Sequence, residues 1–410
     1  MRIQSTLFRQ CGLIALALVT AVLAACGGGG DGGGTSTAAS TGTSSGTSST
    51  SGTSAAAVQI PITVAAGVAN VINVPTVSVT VCAPGTSTCQ TIDNVLLDTA
   101  SYGLRLINTA ASGVLGSLPT LTASSGGTLA ECGTFVSSYT WGSVRTADVK
   151  LGTLTAGTLP VQIIGDLGTS NVPTACSNGG SASNTAAALG ANGILGVGPS
   201  PYDCGATCVS STTYSNYYGC PTSGTCAVTR VPLAQQVANP VPFFGSNNDG
   251  VVVTMNAPSG GTATGTLSIG IGTLPSSVTK LTTTSAGDLS GTFLSRTIST
   301  AFFDTGSKAY FFDDSALATC SSNTAFYCPS TTTSLSATLT GGSNSAQVSF
   351  SIGNAQTLFN TGGYALANVG GPFGSSSILD FGLPHFYGRS IYFGMDLRTV
   401  GGTQTPYVAL

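Results

Sequence analysis

From about Val58 onward the chain is written in short apolar runs broken by Gly, Pro, Asn and Ser. Val77-Ser78-Val79-Thr80-Val81 and Val348-Ser349-Phe350-Ser351-Ile352 alternate with period two, as strands with one buried face do. Val95-Leu96-Leu97, Val161-Gln162-Ile163-Ile164, Val251-Val252-Val253 and Leu267-Ser268-Ile269 are predicted strands as well. Helical periodicity is nearly absent, and short helices are expected only at 315–318 and 233–237. The pattern, rich in Thr, Ser, Val and Gly, predicts an all-β protein with few short helices.

One echo organises this pattern. Asn94-Val95-Leu96-Leu97-Asp98-Thr99-Ala100-Ser101 recurs as Thr300-Ala301-Phe302-Phe303-Asp304-Thr305-Gly306-Ser307. Each copy is an apolar run, then Asp-Thr-small-Ser, then a second apolar stretch, Tyr102-Gly103-Leu104-Arg105-Leu106 or Tyr310-Phe311-Phe312. The folded part therefore reads as two similar β-rich halves, 58–235 and 236–410, each with one Asp motif. Standing alone, either tetrapeptide is ordinary turn chemistry. As a matched pair they carry more. An Asp straight after three apolar residues sits at the end of a buried strand, where it must be hydrogen-bonded or kept protonated. Two such carboxyls share one proton, because like charges about 3 Å apart cannot both ionise. The ionised one takes a proton from water while the neutral one polarises a carbonyl. Asp98 and Asp304 are the candidate catalysts of amide hydrolysis without metal, cofactor or covalent intermediate. Small residues at 100 and 306 let backbone approach the carboxylates. The Ser101 and Ser307 hydroxyls are placed to donate to the outer carboxylate oxygens, and those of Thr99 and Thr305 to cross-link the loops.

On these residues the chain resembles the bilobal pepsin-like aspartic peptidases, and more closely a set of uncharacterised bacterial lipoproteins of that layout. The resemblance covers most of 58–410. Asp98-Thr99-Ala100-Ser101 and Asp304-Thr305-Gly306-Ser307 match the two catalytic loops. Asn192-Gly193-Ile194-Leu195-Gly196-Val197-Gly198 is similar to the segment that threads behind the first loop. Ile378-Leu379 through Phe381-Gly382, running on to Tyr392-Phe393-Gly394-Met395-Asp396, is similar to the second such segment and the strand after it. The resemblance implies two β lobes with a cleft between them, holding an extended polypeptide. It implies a β-hairpin flap at Ser138-Tyr139-Thr140-Trp141-Gly142-Ser143-Val144, with Tyr139, Trp141 and Gly142 on the substrate side. The chain departs from the family at Ala100, where Gly is usual, and at Thr140 in the flap. It lacks a tryptophan supporting Tyr139, and Asp380 and Pro384 make the second threading segment irregular.

Composition narrows the alternatives. Only 6% of residues are charged, with 11 Lys+Arg against 14 Asp+Glu, which leaves no footprint for nucleic acid. One His, His385, excludes multi-His metal centres and leaves a Ser-His-Asp triad resting on it alone. It is expected as a packed or surface residue, and no cofactor or metal is expected. Gly42-Thr43-Ser44-Ser45-Gly46 matches a serine-hydrolase elbow, but no strand precedes it. Arg105 and Arg389 are expected at the surface or tethering loops, with a dyad-perturbing role for Arg105 as the sharper reading. Tyr214, Tyr217, Tyr218 and Tyr327 are expected as exposed aromatics that pack loops or rim a cleft.

The first 25 residues read as a secretory signal, with Arg2 and Arg9 before an apolar run ending Leu23-Ala24-Ala25-Cys26. That ending resembles the bacterial lipoprotein signal, with Cys26 lipidated and the protein tethered to the outer membrane. Residues 26–57 are a Gly/Ser/Thr-rich tether. In an exported chain the remaining ten cysteines read as five disulfides. Cys82–Cys89 and Cys320–Cys328 are local pairs, Cys132 is left for Cys176, and Cys204, Cys208, Cys220 and Cys226 hold two bridges of open pairing or, alternatively, zinc. Three functions compete: a monomeric tethered endopeptidase, an inactive relative that binds an extended peptide or glycan, and a mainly structural surface lipoprotein.

Overall fold

A computed structural model describes residues 56–410, so the signal segment, Cys26 and nearly all of the tether lie outside the described residues. All six apolar runs singled out above lie in strands. The expected helix at 315–318 is instead a turn. The Asp314 side chain accepts the Ala316 N–H at 2.9 Å and the Asp314 carbonyl accepts the Leu317 N–H, so the chain closes one turn and stops. At 233–237 a single 3-10 turn forms, Leu233–Gln235, entered through Pro232.

The strands form two sheets, of sixteen and seven strands. In the larger sheet, Cys89–Asp98 lies between Thr76–Cys82 and Gly193–Val197, followed by Tyr102–Ile107. In the smaller, Arg296–Asp304 lies between Leu289–Phe293 and Ile378–Gly382, followed by Tyr310–Phe311. These are the same arrangement twice. The Asp-bearing strand pairs parallel with a later threading strand, and that strand pairs antiparallel with the one leaving the Asp loop. Parallel strands covered on both sides carry unbroken apolar runs rather than alternation. Leu96-Leu97 beside Ile194-Leu195 and Phe302-Phe303 beside Asp380-Phe381 are such runs, with one exception at Asp380.

The two sequence halves share a sheet and a core. Val58–Val64, the first strand, pairs along its whole length with Ala263–Ile269, from Val58 opposite Ile269 to Val64 opposite Ala263. Asn73 bonds to the Lys308 and Leu366 carbonyls at 2.7 and 2.9 Å. It also receives the Leu366 N–H and the Tyr387 hydroxyl. One continuous apolar core reaches from Ile60 to Val408. Behind the second Asp loop it is aromatic, with Phe303 stacked on Phe381 at 4.9 Å and Tyr310 on Phe350 at 4.8 Å. His385 is buried there against Phe303, Phe381 and Tyr310, and burial with the nearby Arg389 charge pushes its pKa down to about 3, so it is neutral.

The five disulfides form. The three pairings read from the sequence are present, and the open cluster resolves as Cys204–Cys208 and Cys220–Cys226 rather than a zinc site.

Candidate active site

Each candidate carboxyl sits where its strand ends. Asp98 closes Cys89–Asp98 and Asp304 closes Arg296–Asp304, and both are fully buried. Each turns back on its own loop. Asp98 Oδ1 accepts the Ala100 N–H at 2.9 Å, and Asp304 Oδ1 accepts the Gly306 N–H at 2.7 Å. The small residue two places on lets that amide reach the carboxylate. The methyl of Ala100 is accommodated against Phe302 and Ile378.

The threading segments close behind each loop. Gly198 N–H bonds to the Ser101 carbonyl at 2.9 Å, and Leu383 N–H to the Ser307 carbonyl at 2.8 Å. The approach demands glycine. A Cβ on Gly196 would stand 2.6 Å from Tyr102 N, and one on Gly382 2.1 Å from the Ala309 carbonyl oxygen.

Thr99 and Thr305 join the loops by four reciprocal hydrogen bonds. The Thr99 hydroxyl donates to the Phe303 carbonyl at 2.8 Å and accepts the Thr305 N–H at 3.0 Å. The Thr305 hydroxyl donates to the Leu97 carbonyl at 2.7 Å and accepts the Thr99 N–H at 3.1 Å. Each threonine thus ties itself to the residue before the opposite Asp. Carboxyls 206 positions apart in sequence are held as neighbours by backbone groups that would otherwise be buried unpaired.

Environment separates the two carboxyls. Burial, reinforced by the charge of Asp304, pushes Asp98 up to about 7 against the opposing Ala100 amide. For Asp304 burial works upward, while the Ser307 hydroxyl and the Gly306 amide work downward. Ser307 Oγ lies 2.8 Å from Asp304 Oδ2 and also 2.6 Å from Asp380 Oδ2. Ser101 is buried beside Asp98.

The hairpin expected to form a flap pairs Thr128–Thr134 with Ser138–Leu151, Thr134 opposite Tyr139. Tyr139 is half-buried near its tip. Trp141 and Gly142 are not on a substrate side. Trp141 is fully buried, its ring edge-on to Tyr218 at 5.4 Å and packed with Cys132 and Cys176. Gly142 is a packing residue, because a Cβ there would stand 1.8 Å from the Ile163 carbonyl oxygen on the neighbouring strand. The hairpin is stapled by Cys132–Cys176, paired with Ser181–Ala182, and seated by Phe135 against Leu96 and Ile194.

Other expectations change with burial. Tyr217, Tyr218 and Tyr327 are buried rather than exposed, and only Tyr214 is exposed, at 38%. Arg389 is exposed and holds the His385 carbonyl at 2.7 Å. Arg105 is no surface residue. It is fully buried, bonds to the Tyr102 carbonyl, and pairs with Glu131 of the hairpin and with Asp203 at 3.1 Å. Tyr217 donates to Asp203 at 2.6 Å. Burial and the Asp203 charge raise the Glu131 pKa well above its ordinary value, against the pull of Arg105. Glu131, Asp203 and Asp380 were not singled out as site residues. Their signal, a charge inside or beside an apolar run, is visible for Asp380 and hidden for the other two, whose partner is remote in sequence.

Residues 54–410 match the family described as "Protein of unknown function (DUF3443)", and the chain belongs to that family. Among solved structures it is similar to an aspartic proteinase from Irpex lacteus, 18% identical, covering 86% of this chain and 96% of that one, with a TM-score of 0.47. No curated protein matches it.

Proposed function

We propose that this protein is a membrane-tethered aspartic endopeptidase with two lobes, 58–235 and 236–410, that cuts extended polypeptide between them. The observation that carries this reading is the reciprocal Thr99–Thr305 bonding, which sets Asp98 and Asp304 side by side in matching loops. In the reaction Asp304, ionised, takes a proton from water as the water oxygen bonds to the scissile carbonyl carbon. Asp98 gives its proton to the carbonyl oxygen, forming a neutral gem-diol. Asp304 then gives its proton to the nitrogen, the C–N bond breaks, and one gem-diol hydroxyl returns a proton to Asp98, leaving carboxylic acid and amine. Nothing covalent forms with the enzyme. Tyr139 closes over the bound strand from the hairpin, and Cys26 carries the lipid that holds the protein at the outer membrane.

The test is cleavage of denatured protein and a peptide library by the purified full chain from pH 3 to 7, with a statine-type inhibitor as control. Asp98→Asn and Asp304→Asn each abolish inhibitor-sensitive cleavage without changing the melting temperature by more than a few degrees. Cleavage that persists in either variant refutes the reading.

A second reading, an inactive relative that binds an extended peptide or glycan, is favoured by one observation: both carboxyls are fully buried. Retention of peptide by the Asp98→Asn, Asp304→Asn double variant, with no cleavage by wild type, selects it.

A further inference from the structure

A buried charge cluster beside the Asp98 loop takes no part in the hydrolysis set out above. At its centre is Arg105, on the strand Tyr102–Ile107 that leaves the loop. The side chains of Arg105, Glu131 and Asp203 are all 0% exposed. Arg105 Nη1 donates at 2.7 Å to the carbonyl of Tyr102, the residue directly after the Asp-Thr-Ala-Ser motif. Nη2 donates to Glu131, on the hairpin strand Thr128–Thr134, and to Asp203 at 3.1 Å. One planar guanidinium thus holds the exit of the Asp98 loop and the hairpin together.

Two strands, Ser138–Leu151 and Leu154–Ile164, separate the first hairpin strand from Tyr102–Ile107 in sheet order. Neighbouring strands lie about 4.8 Å apart, so a flat sheet would hold these two about 14 Å apart. The ion pair therefore requires the sheet to curl until its first and fourth strands face each other. The hairpin face inside the curl is shaped for the guanidinium. Glu131, Gly133, Thr140 and Gly142 share that face, with Gly133 opposite Thr140 and Glu131 opposite Gly142. A Cβ on Gly133 would stand 3.1 Å from Arg105 Nε and 2.5 Å from Thr140 Oγ1. Gln162, in register beside Arg105, ties both hairpin strands: its Nε2 donates to the Glu131 carbonyl and its Oε1 accepts the Thr140 hydroxyl, each at 2.8 Å. Thr140, where the sequence departs from the pepsin-like pattern, is thus part of the cluster.

We propose that Arg105 and Glu131 are positioning residues that clamp the hairpin to the exit of the Asp98 loop, so that its root stays fixed relative to the two carboxyls and only its tip, around Tyr139, moves when substrate enters. This rests on the hydrolytic reading given above. A buried ion pair specifies one arrangement, because a shift that separates it leaves a charge without its partner at low dielectric. Asp203 is anchored independently, by the Tyr217 hydroxyl at 2.6 Å and the Asn216 amide at 3.2 Å. It therefore remains as a counter-ion to Arg105 when Glu131 is replaced.

The test uses the purified full chain and its single tryptophan, Trp141, which lies in the hairpin and reports on it without reference to activity. Glu131→Leu removes the bond to Arg105, whereas Glu131→Gln keeps an oxygen that accepts it. In Glu131→Leu, acrylamide quenching of Trp141 rises about threefold and amide exchange over 128–144 quickens about tenfold, with little change elsewhere. KM for a peptide substrate rises about tenfold with kcat little changed. Glu131→Gln recovers most of each change. Both limbs of the pH profile stay in place, because the clamp acts on the hairpin and not on the charge of Asp98 or Asp304. Unchanged quenching and exchange in Glu131→Leu overturn the proposal, as does exchange that quickens throughout the chain. Equal loss in the Leu and Gln variants overturns it by making charge, not the bond, the operative feature. A displaced pH limb overturns it by making the cluster a perturber of the two carboxyls. If wild type cleaves nothing, the hydrolytic reading falls, while quenching and exchange still decide whether the clamp holds the hairpin. If Glu131→Leu fails to fold, Arg105→Lys, which keeps the charge and loses the planar fork, takes its place in the same measurements with the same expected and overturning results.

Discussion

Two threonines decide whether this molecule has a site at all. The Thr99 and Thr305 side chains each make one donated and one accepted bond across the midline, and all four bonds are buried. Removing a hydroxyl leaves a buried carbonyl and a buried N–H without partners, and each orphan costs about 1–3 kcal/mol. Thr305→Val, close in shape, is therefore expected to lower unfolding free energy by about 2–5 kcal/mol in a guanidinium titration. Thr305→Ser keeps the hydroxyl and loses far less. A Val variant as stable as wild type would mean that the loops are held together by something else. The flanking serines differ in the same way from sequence to structure. Ser307 is engaged by two carboxyls, a fact of geometry that the motif does not disclose.

At the scale of elements, the Asp strands and their threading partners were legible because the chain states them twice. A motif that occurs twice, each time after three apolar residues, leaves little freedom in where it is buried. The hairpin was half legible. Its strands announce themselves, but Tyr139 and Trp141 share one face of their strand and Gly142 lies on the other, and sequence does not say which face meets the core. Trp141 went inward because Tyr218 and the Cys132–Cys176 bridge form a small core beneath it. The pairing of Cys204 to Cys226 was open for a related reason, since several short loops satisfied the spacing. The same bridge that buries Trp141 spans 44 residues. Chain-entropy arguments assign closure of such a loop about 4 kcal/mol. The Cys132→Ala, Cys176→Ala double variant is expected to lose most of that stability. It should also show faster amide exchange confined to 128–151, read by hydrogen–deuterium exchange. Exchange that quickens uniformly would remove the bridge's local role.

For the whole molecule, the buried carboxyls set how stability responds to pH. Asp98 holds its proton to about 7 when folded, and Glu131 is also raised well above its ordinary value. When unfolded, both ionise near pH 4. Between about pH 4 and 7 the unfolded chain therefore binds fewer protons, and stability falls as pH rises. Below pH 4 both states are protonated and this contribution is fully present. The melting temperature is expected to decline from pH 4 toward 7 and to decline less steeply in Asp98→Asn. A curve that rises over that range would contradict the assignment.

The pairing of Val58–Val64 with Ala263–Ile269 sets a schedule for biosynthesis. Val58 cannot meet Ile269 until 211 more residues have been made. At about 5–20 residues per second that wait is about 10–40 s. Through it the edge of Val58–Val64 that Ala263–Ile269 will cover stays open, and the other edge has only the Thr63–Thr76 pairing with the next strand. Its composition suits the delay. Val58-Gln59-Ile60-Pro61-Ile62-Thr63-Val64 alternates apolar with polar or proline residues, and Pro61 removes one edge donor, which discourages pairing with a second nascent chain. Pro61→Thr would restore that donor, and the yield of monomer recovered after dilution from denaturant should fall as protein concentration rises.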